Sequence, residues 1–197
     1  MDKDLLYGFV QDSQEPGRFK HTLGTIGICV ELAKLHGVDS LSAELAGLLH
    51  DCARDFSRQK VTGLLRKFGN DETQAEYARW KQYPSLVHGY AAKLIAKNMF
   101  GINRPALLEA LEYHSTGKAR MGLLLKILYI ADLTEPGRKF PFATQILDEA
   151  INDIDRGLWL SCRECTAWIA RKGKVLHPDS IEMYQALAAR AKKLRWT

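Results

Sequence analysis

The chain is poor in cysteine and proline, almost free of strand-like alternation, and has no apolar run long enough to cross a membrane. Four cysteines in 197 residues, Cys29, Cys52, Cys162 and Cys165, are too few and too scattered for a disulfide framework, so reduced thiols are expected. Cys162 and Cys165 form a C-x-x-C without a second pair, which argues for two thiols on one helix face rather than a zinc knuckle or redox motif. No stretch approaches the roughly 20 apolar residues of a membrane span. The start, Met1-Asp2-Lys3-Asp4, lacks the basic residues and apolar core of a signal peptide, and a cytoplasmic location is expected. At 46% hydrophobic and 26% charged residues, neither a disordered nor a fibrous class is indicated.

In place of alternation, apolar residues recur at spacings of three and four nearly throughout, which predicts an all-α fold. The length suits one well-packed domain. Pro16 fits a helical first turn and Gly37 a C-terminal cap, placing His21 on a helix from about 16 to 36. Asp39 or Ser40 can cap the next helix, which carries Leu45, Leu48 and Leu49; Ser57 can cap another, stopping near Gly69-Asn70. Further helices are predicted over about 71–82, from a Ser85 cap to Met99, from Pro105 to His114, over 121–132 as the central buried element, over 143–172 with an interruption, and from Asp179 onward. The last two carry Trp159, Trp168, Tyr184 and Trp196, expected to cover the core rather than form a dimer interface.

Lysine and arginine exceed aspartate and glutamate by 28 to 23, a net charge of +5, which favours an anionic partner such as a nucleotide. The basic segment Arg190 to Trp196 reads as a solvated helix face rather than a tail for RNA or the ribosome.

Against this background one dipeptide stands out. His50-Asp51 closes the apolar run Leu45-Ala46-Gly47-Leu48-Leu49, where an imidazole and a carboxylate are costly to desolvate unless something such as a cation compensates. Alone, such a pair is more often hydrogen-bonded structure than a ligand. Its company changes the balance: His21 upstream, and His88, His114 and Asp132 downstream, each lie in or beside an apolar helical segment. Imidazoles mixed with carboxylates suit iron, manganese or zinc, whereas calcium and magnesium favour oxygen shells. Four imidazoles and two carboxylates suffice for two metals, and a carboxylate such as Asp51 can bridge them. Two adjacent metals serve phosphoryl chemistry, which also needs phosphate-binding groups. Arg18 and Arg54 lie three residues from proposed ligands; Lys118 and Arg138 sit in loops after them; Ser115, Thr116 and Gly117 offer hydroxyl and backbone donors.

The order His21, His50-Asp51, Asp132 resembles that of the HD-domain metal-dependent phosphohydrolases, and His88 and His114 match the subset with two metals. The segments His21-Thr22-Leu23-Gly24, Ala46 to Asp51, Tyr113 to Gly117 and Ala131 to Arg138 look like those of the YqeK family, symmetrical diadenosine tetraphosphate (Ap4A) hydrolases. The likeness runs from about Arg18 to Pro141. It implies one HD domain of 197 residues, a helical bundle with a core of about 18–141 on which the helices of 143–197 pack. It also implies a di-iron centre, with manganese or another divalent ion as the alternative: His21, His50, Asp51 and Asp132 on one metal, His88 and His114, sharing Asp51, on the other. Asp51, Arg54, His88 and His114 are then the catalytic set, a metal-bound hydroxide attacks an inner phosphorus, and the products are two ADP. Arg18, Ser115, Thr116, Gly117, Lys118 and Arg138 are the expected phosphate contacts. Two departures touch the substrate pocket: Arg54 stands where the family often has Lys, and Leu125 where an acidic residue is expected. The ligand array equally suits other HD phosphohydrolases, acting on nucleoside mono-, tri- or cyclic phosphates, or a nucleotide-sensing module without catalysis.

Overall fold

Leu125, Ile127, Leu128, Ile130 and Ala131 are wholly removed from solvent, so the 121–132 segment is, as predicted, the axis of the molecule. The computed structural model describes residues 2–69 and 71–196, with 71 and 72 given by their backbone alone, and every regular element among them is an α-helix. In chain order these are α1 (Lys3–Ser13), α2 (Pro16–Leu35), α3 (Ser40–Leu49), α4 (Arg58–Phe68), α5 (Asp71–Trp80), α6 (Val87–Asn98), α7 (Pro105–Tyr113), α8 (Leu123–Thr134), α9 (Ala143–Asn152), α10 (Ile154–Arg171) and α11 (Pro178–Leu194). None of these helices is long and apolar enough to cross a membrane.

Local chemistry sets most boundaries. Pro16 opens α2, and Gly37 follows its end at φ +71°, a left-handed conformation that glycine adopts without strain. The Asp39 carboxylate accepts from the Ser42 amide at 2.9 Å to cap α3, and the Ser57 hydroxyl accepts from the Lys60 amide at 3.2 Å to cap α4. Asn70 lies outside the described residues. The interruption expected within 143–172 falls at Asp153, whose carboxylate takes the Asp155 and Arg156 amides and so starts α10 where α9 stops.

Ser85 differs from expectation: Leu86 is the N-cap of α6. The Leu86 amide donates to the Tyr83 carbonyl at 2.8 Å, so Tyr83 to Leu86 form a turn. Ser85 contributes its carbonyl to the neighbouring site instead.

Helix α8 packs against α2, α3, α7, α9 and α10. The crossing of α2 and α3 is close enough that a Cβ on Gly47 would stand 2.9 Å from the Ile26 Cα, so the apolar run before His50 needs a glycine there. Trp159 and Tyr184 pack on the core with ring centroids 5.7 Å apart, in line with a covering role, whereas Trp168 is 37% exposed. Helix α11 also reaches the loop after His114, where the Ser180 hydroxyl donates to the Thr116 carbonyl at 2.9 Å.

Candidate metal centre

Four helices deliver histidines to one place. His21 lies in the second turn of α2, His88 in the first turn of α6, and His50 and His114 cap the C-termini of α3 and α7; Asp51 follows in the turn after α3, and Asp132 occupies the last turn of α8. Helix C-termini carry partial negative charge, so α3, α7 and α8 add to a field that favours cations. His50, Asp51, His88 and His114 are all buried.

Asp51 stands between two groups. Its Oδ2 is 3.7 Å from the His50 Nε2, while its Oδ1 is 3.2 Å from the His88 Nε2 and 3.7 Å from the His114 Nε2. His21 joins the first group, its Nε2 being 3.3 Å from that of His50 and 3.1 Å from the Asp132 Oδ1. Among the described residues two sets have potential ligand atoms within 4.8 Å of one another: His21, His50 and Asp51; and Asp51, His88 and His114. Asp132 borders the first, with its Oδ1 4.0 Å from the His50 Nε2.

The hydrogen bonds behind the rings show what these atoms fit. The Nδ1 atoms of His50, His88 and His114 face the carbonyls of Gly47, Ser85 and Leu111 at 2.8, 3.1 and 2.9 Å, which assigns a proton to each Nδ1 and leaves each Nε2 an acceptor. The Nε2 atoms of His88 and His114 then lie 3.1 Å apart with no hydrogen between them. Two lone pairs at that distance repel. A cation facing both relieves the conflict, and neutral imidazoles with a carboxylate are the donor set of iron, manganese or zinc.

Burial depresses His50 and His88 to about 4, outweighing the pull of Asp51, and so keeps both neutral near pH 7. Burial opposes ionisation of Asp51 too, but the imidazoles of His50, His114 and His88 packed around it hold its carboxyl well below the usual carboxylate range. Asp132 is likewise depressed, chiefly by His21, the charge of His50 and Arg138 working against burial. His21 moves upward, because the hydrogen bond and charge of Asp132 outweigh its burial.

The sign of the resulting pH dependence follows. His50 and His88 titrate near 6.5 when unfolded and about 4 when folded, so their contribution is complete above 6.5 and is lost as pH falls towards 4. Asp51 and Asp132 act in the same direction below the ordinary carboxylate range. His21, raised on folding, opposes them between its unfolded value and its higher folded one. Chelator-treated protein should therefore lose roughly 2 kcal/mol per depressed histidine between pH 7.5 and 5. Urea denaturation at the two pH values measures this, and equal midpoints would contradict the neutral histidines.

Three arginines face the cluster from one open cleft of about 650 Å³. The Arg18 Nη1 donates to the Asp51 Oδ2 at 3.0 Å and its Nε to Asp55 at 2.9 Å. The Arg54 Nη1 donates to the Ser85 carbonyl at 3.1 Å and lies 3.0 Å from the ring nitrogens of His88. Arg138 donates to the Asp132 carbonyl at 2.9 Å and to its Oδ1 at 2.5 Å. Of the four loop residues expected at phosphate, Ser115 faces the cluster, with its Oγ 3.0 and 3.1 Å from the Nε2 atoms of His114 and His88.

Thr116, Gly117 and Lys118 do not line this cleft, a correction to the sequence expectation. Gly117 takes φ +63° and turns the chain away. Met183 occupies the space where a Gly117 Cβ would stand. Thr116 is buried with its hydroxyl donating to the Gly117 carbonyl, and Lys118 pairs with Glu109 at 2.9 Å over the Tyr113 ring.

Three further residues lie at the site without having been expected there. Tyr129 of α8 and Cys165 of α10 line the cleft, whereas Cys162 is fully buried in the core. Glu135, placed from sequence only within the segment Ala131 to Arg138, is buried with its Oε1 3.0 Å from the His21 Nδ1. Its position three residues after Asp132, at the C-cap of α8, was the available signal.

Known proteins carry related chains. A relative from Halalkalibacterium halodurans, named symmetrical bis(5'-nucleosyl)-tetraphosphatase, is 29% identical over 86% of this chain and 88% of its own length. One of the same name from Bacillus subtilis is 26% identical over 96% of this chain and 99% of its own. A crystal structure from Clostridium acetobutylicum, described as a predicted HD superfamily hydrolase involved in NAD metabolism, superposes with a TM-score of 0.85 at 32% identity, covering 96% of this chain and 98% of that one. The model of the HD domain matches residues 18–137, a span that includes all six proposed metal ligands and the cleft residues Arg18, Arg54 and Ser115. This chain therefore belongs to the HD-domain family, as its motifs led one to expect.

Proposed function

We propose that the protein is a metal-dependent phosphohydrolase that cleaves Ap4A at its central anhydride to give two molecules of ADP. The single observation that carries the proposal is Asp51, whose two carboxylate oxygens address different histidine groups beside a cleft with three arginines. In this assignment His21, His50, Asp51 and Asp132 hold one ion, and His88 and His114, sharing Asp51, hold the second. Two iron ions, or manganese in their place, would activate water and neutralise charge on the phosphoryl group under attack.

The remaining work falls to the chain. Arg18, Arg54 and Arg138 reach the cleft from α2, the turn after α3 and the loop after α8, so they can hold a polyphosphate from several sides. Arg54, anchored to the Ser85 carbonyl, presents its guanidinium beside His88, where the transferred phosphoryl group would lie. The Ser115 hydroxyl can donate to a phosphate oxygen at the His88 and His114 side. The names of the relatives from H. halodurans and B. subtilis, symmetrical tetraphosphatases, support the substrate and the central position of the cut. A net charge of +5 suits so anionic a substrate, and cytoplasmic nucleotide pools would supply it. Helices α9 to α11 belong to the same domain in this account, with α10 lying on α8.

Incubating iron- or manganese-loaded protein with Ap4A and separating the products tests the assignment. Two ADP is the expected result. ATP plus AMP would refute central cleavage, and turnover restricted to nucleoside mono-, tri- or cyclic phosphates would replace the substrate.

A further inference from the structure

His21 differs from the other three histidines of the cluster in how its far nitrogen is held. His50 and His114 cap helix C-termini, where the Gly47 and Leu111 carbonyls lie in the last turn and take the Nδ1 proton; His88 uses the Ser85 carbonyl in the turn before α6. Carbonyls at such ends lack intrahelical donors and are free for a side chain. His21 has no such option. It lies inside α2, where the neighbouring carbonyls serve the helix, so an acceptor must come from another element.

We infer that Glu135 is that acceptor, a positioning residue that fixes the tautomer and the orientation of His21 so that its Nε2 faces Asp132 and His50. This rests on the assignment of His21 as a metal ligand. The Glu135 side chain is built into place from both ends. Its Oε1 lies 3.0 Å from the His21 Nδ1, and its Oε2 accepts from the Gly137 amide at 2.6 Å. It is 4% exposed, and a buried carboxylate is expensive unless its hydrogen bonds are met.

Glycine makes the room. A Cβ on Gly24, one turn beyond His21, would fall 3.3 Å from both the Cβ and the Cδ of Glu135 and closer still to its Oε2. His21-Thr22-Leu23-Gly24 and Glu135-Pro136-Gly137 are therefore two halves of one device: Gly24 clears the space, Gly137 holds one oxygen, and the other meets the ring. A carboxylate taking the Nδ1 proton also makes the Nε2 a stronger donor to a cation.

Metal stoichiometry and affinity test this without reference to any substrate. In a chelator titration of the manganese-loaded protein, Glu135→Gln should release one of the two ions at about 10-fold lower chelator activity than wild type, because it keeps an acceptor but loses the charge. Glu135→Leu, which preserves packing and removes the acceptor, should release that ion at about 10- to 100-fold lower activity. The second ion, on the His88 side, should leave at the wild-type point. Gly24→Ala should imitate Glu135→Leu, and the double variant should be no worse than the more affected single one. A Glu135→Leu protein that holds both ions as tightly as wild type would overturn the inference, as would equal weakening of both ions, the mark of a general structural role. Should Glu135→Leu fail to fold, Glu135→Gln and Gly24→Ala decide by the same two criteria. A wild-type protein that binds no metal would overturn the ligand assignment itself and this inference with it, whereas loss of Ap4A turnover as the substrate would leave it standing.

Discussion

Asp51→Asn is expected to reduce phosphohydrolase turnover by about 10³-fold or more, the upper end for losing one electrostatic group at a reacting centre, while far-ultraviolet circular dichroism stays as in wild type. The amide keeps the shape of the carboxylate but loses its charge, and one of its two oxygens becomes an amino group. If the amino group faces His50, the first set of ligands is broken; if it faces His88 and His114, the second is broken. Neither rotamer serves both. Helical structure should persist because the surrounding core is apolar and Leu125, Ile127, Leu128, Ile130 and Ala131 of α8 are wholly buried. Arg18 keeps a carboxylate partner in Asp55, which limits the damage at the rim. Initial rates measured together with metal content read the effect, and wild-type rates with two ions bound would exclude Asp51 as the bridge.

Arg54→Ala should lower kcat/KM by about 10²-fold, with Arg54→Lys falling between the two. The guanidinium has two tasks that alanine abandons: it holds the Ser85 carbonyl at 3.1 Å and places positive charge 3.0 Å from the ring of His88. Ser85 also receives the Nδ1 proton of His88, so the anchor and the ligand share one carbonyl. Lysine restores the charge as a single point and cannot span carbonyl and phosphate together. A lysine variant as active as wild type would mean that charge alone matters, and an alanine variant as active as wild type would remove Arg54 from the site.

The helices were legible because their ends are chemical. Pro16, Asp39, Ser57 and Gly37 satisfy or release backbone groups locally, and the structure uses each as its residue type suggests. The six proposed ligands were legible for a different reason, since polar groups at the edges of apolar helix faces need compensation. What remained hidden depends on chain direction and on long-range contact. Lys118 follows His114 by only four residues, yet the left-handed turn at Gly117 carries it to Glu109. Ser85 looked like a cap because of its hydroxyl, but its carbonyl is the group in use. Glu135 carried no signal of its own in the sequence, and only the approach of α2 to the end of α8 gives its carboxylate a purpose. The closeness of α2 and α3 was likewise unreadable, because a glycine in a helix does not announce which backbone will press against it.

The clustered groups are distant in sequence: His21 and His50 are 29 residues apart, His88 and His114 are 26, and His21 and Glu135 are 114. Beyond the adjacent His50 and Asp51, an unfolded chain with such spacings offers no local chelate, so an ion that binds this centre binds the folded chain far more tightly than the unfolded one. Occupancy then acts on survival as well as on chemistry. By mass action, free metal at 100 times its dissociation constant deepens the folded state by about 2.7 kcal/mol, roughly a hundredfold fewer unfolded molecules offered to proteases. The supply of the ion would thereby act on how much of the folded protein persists as well as on its chemistry.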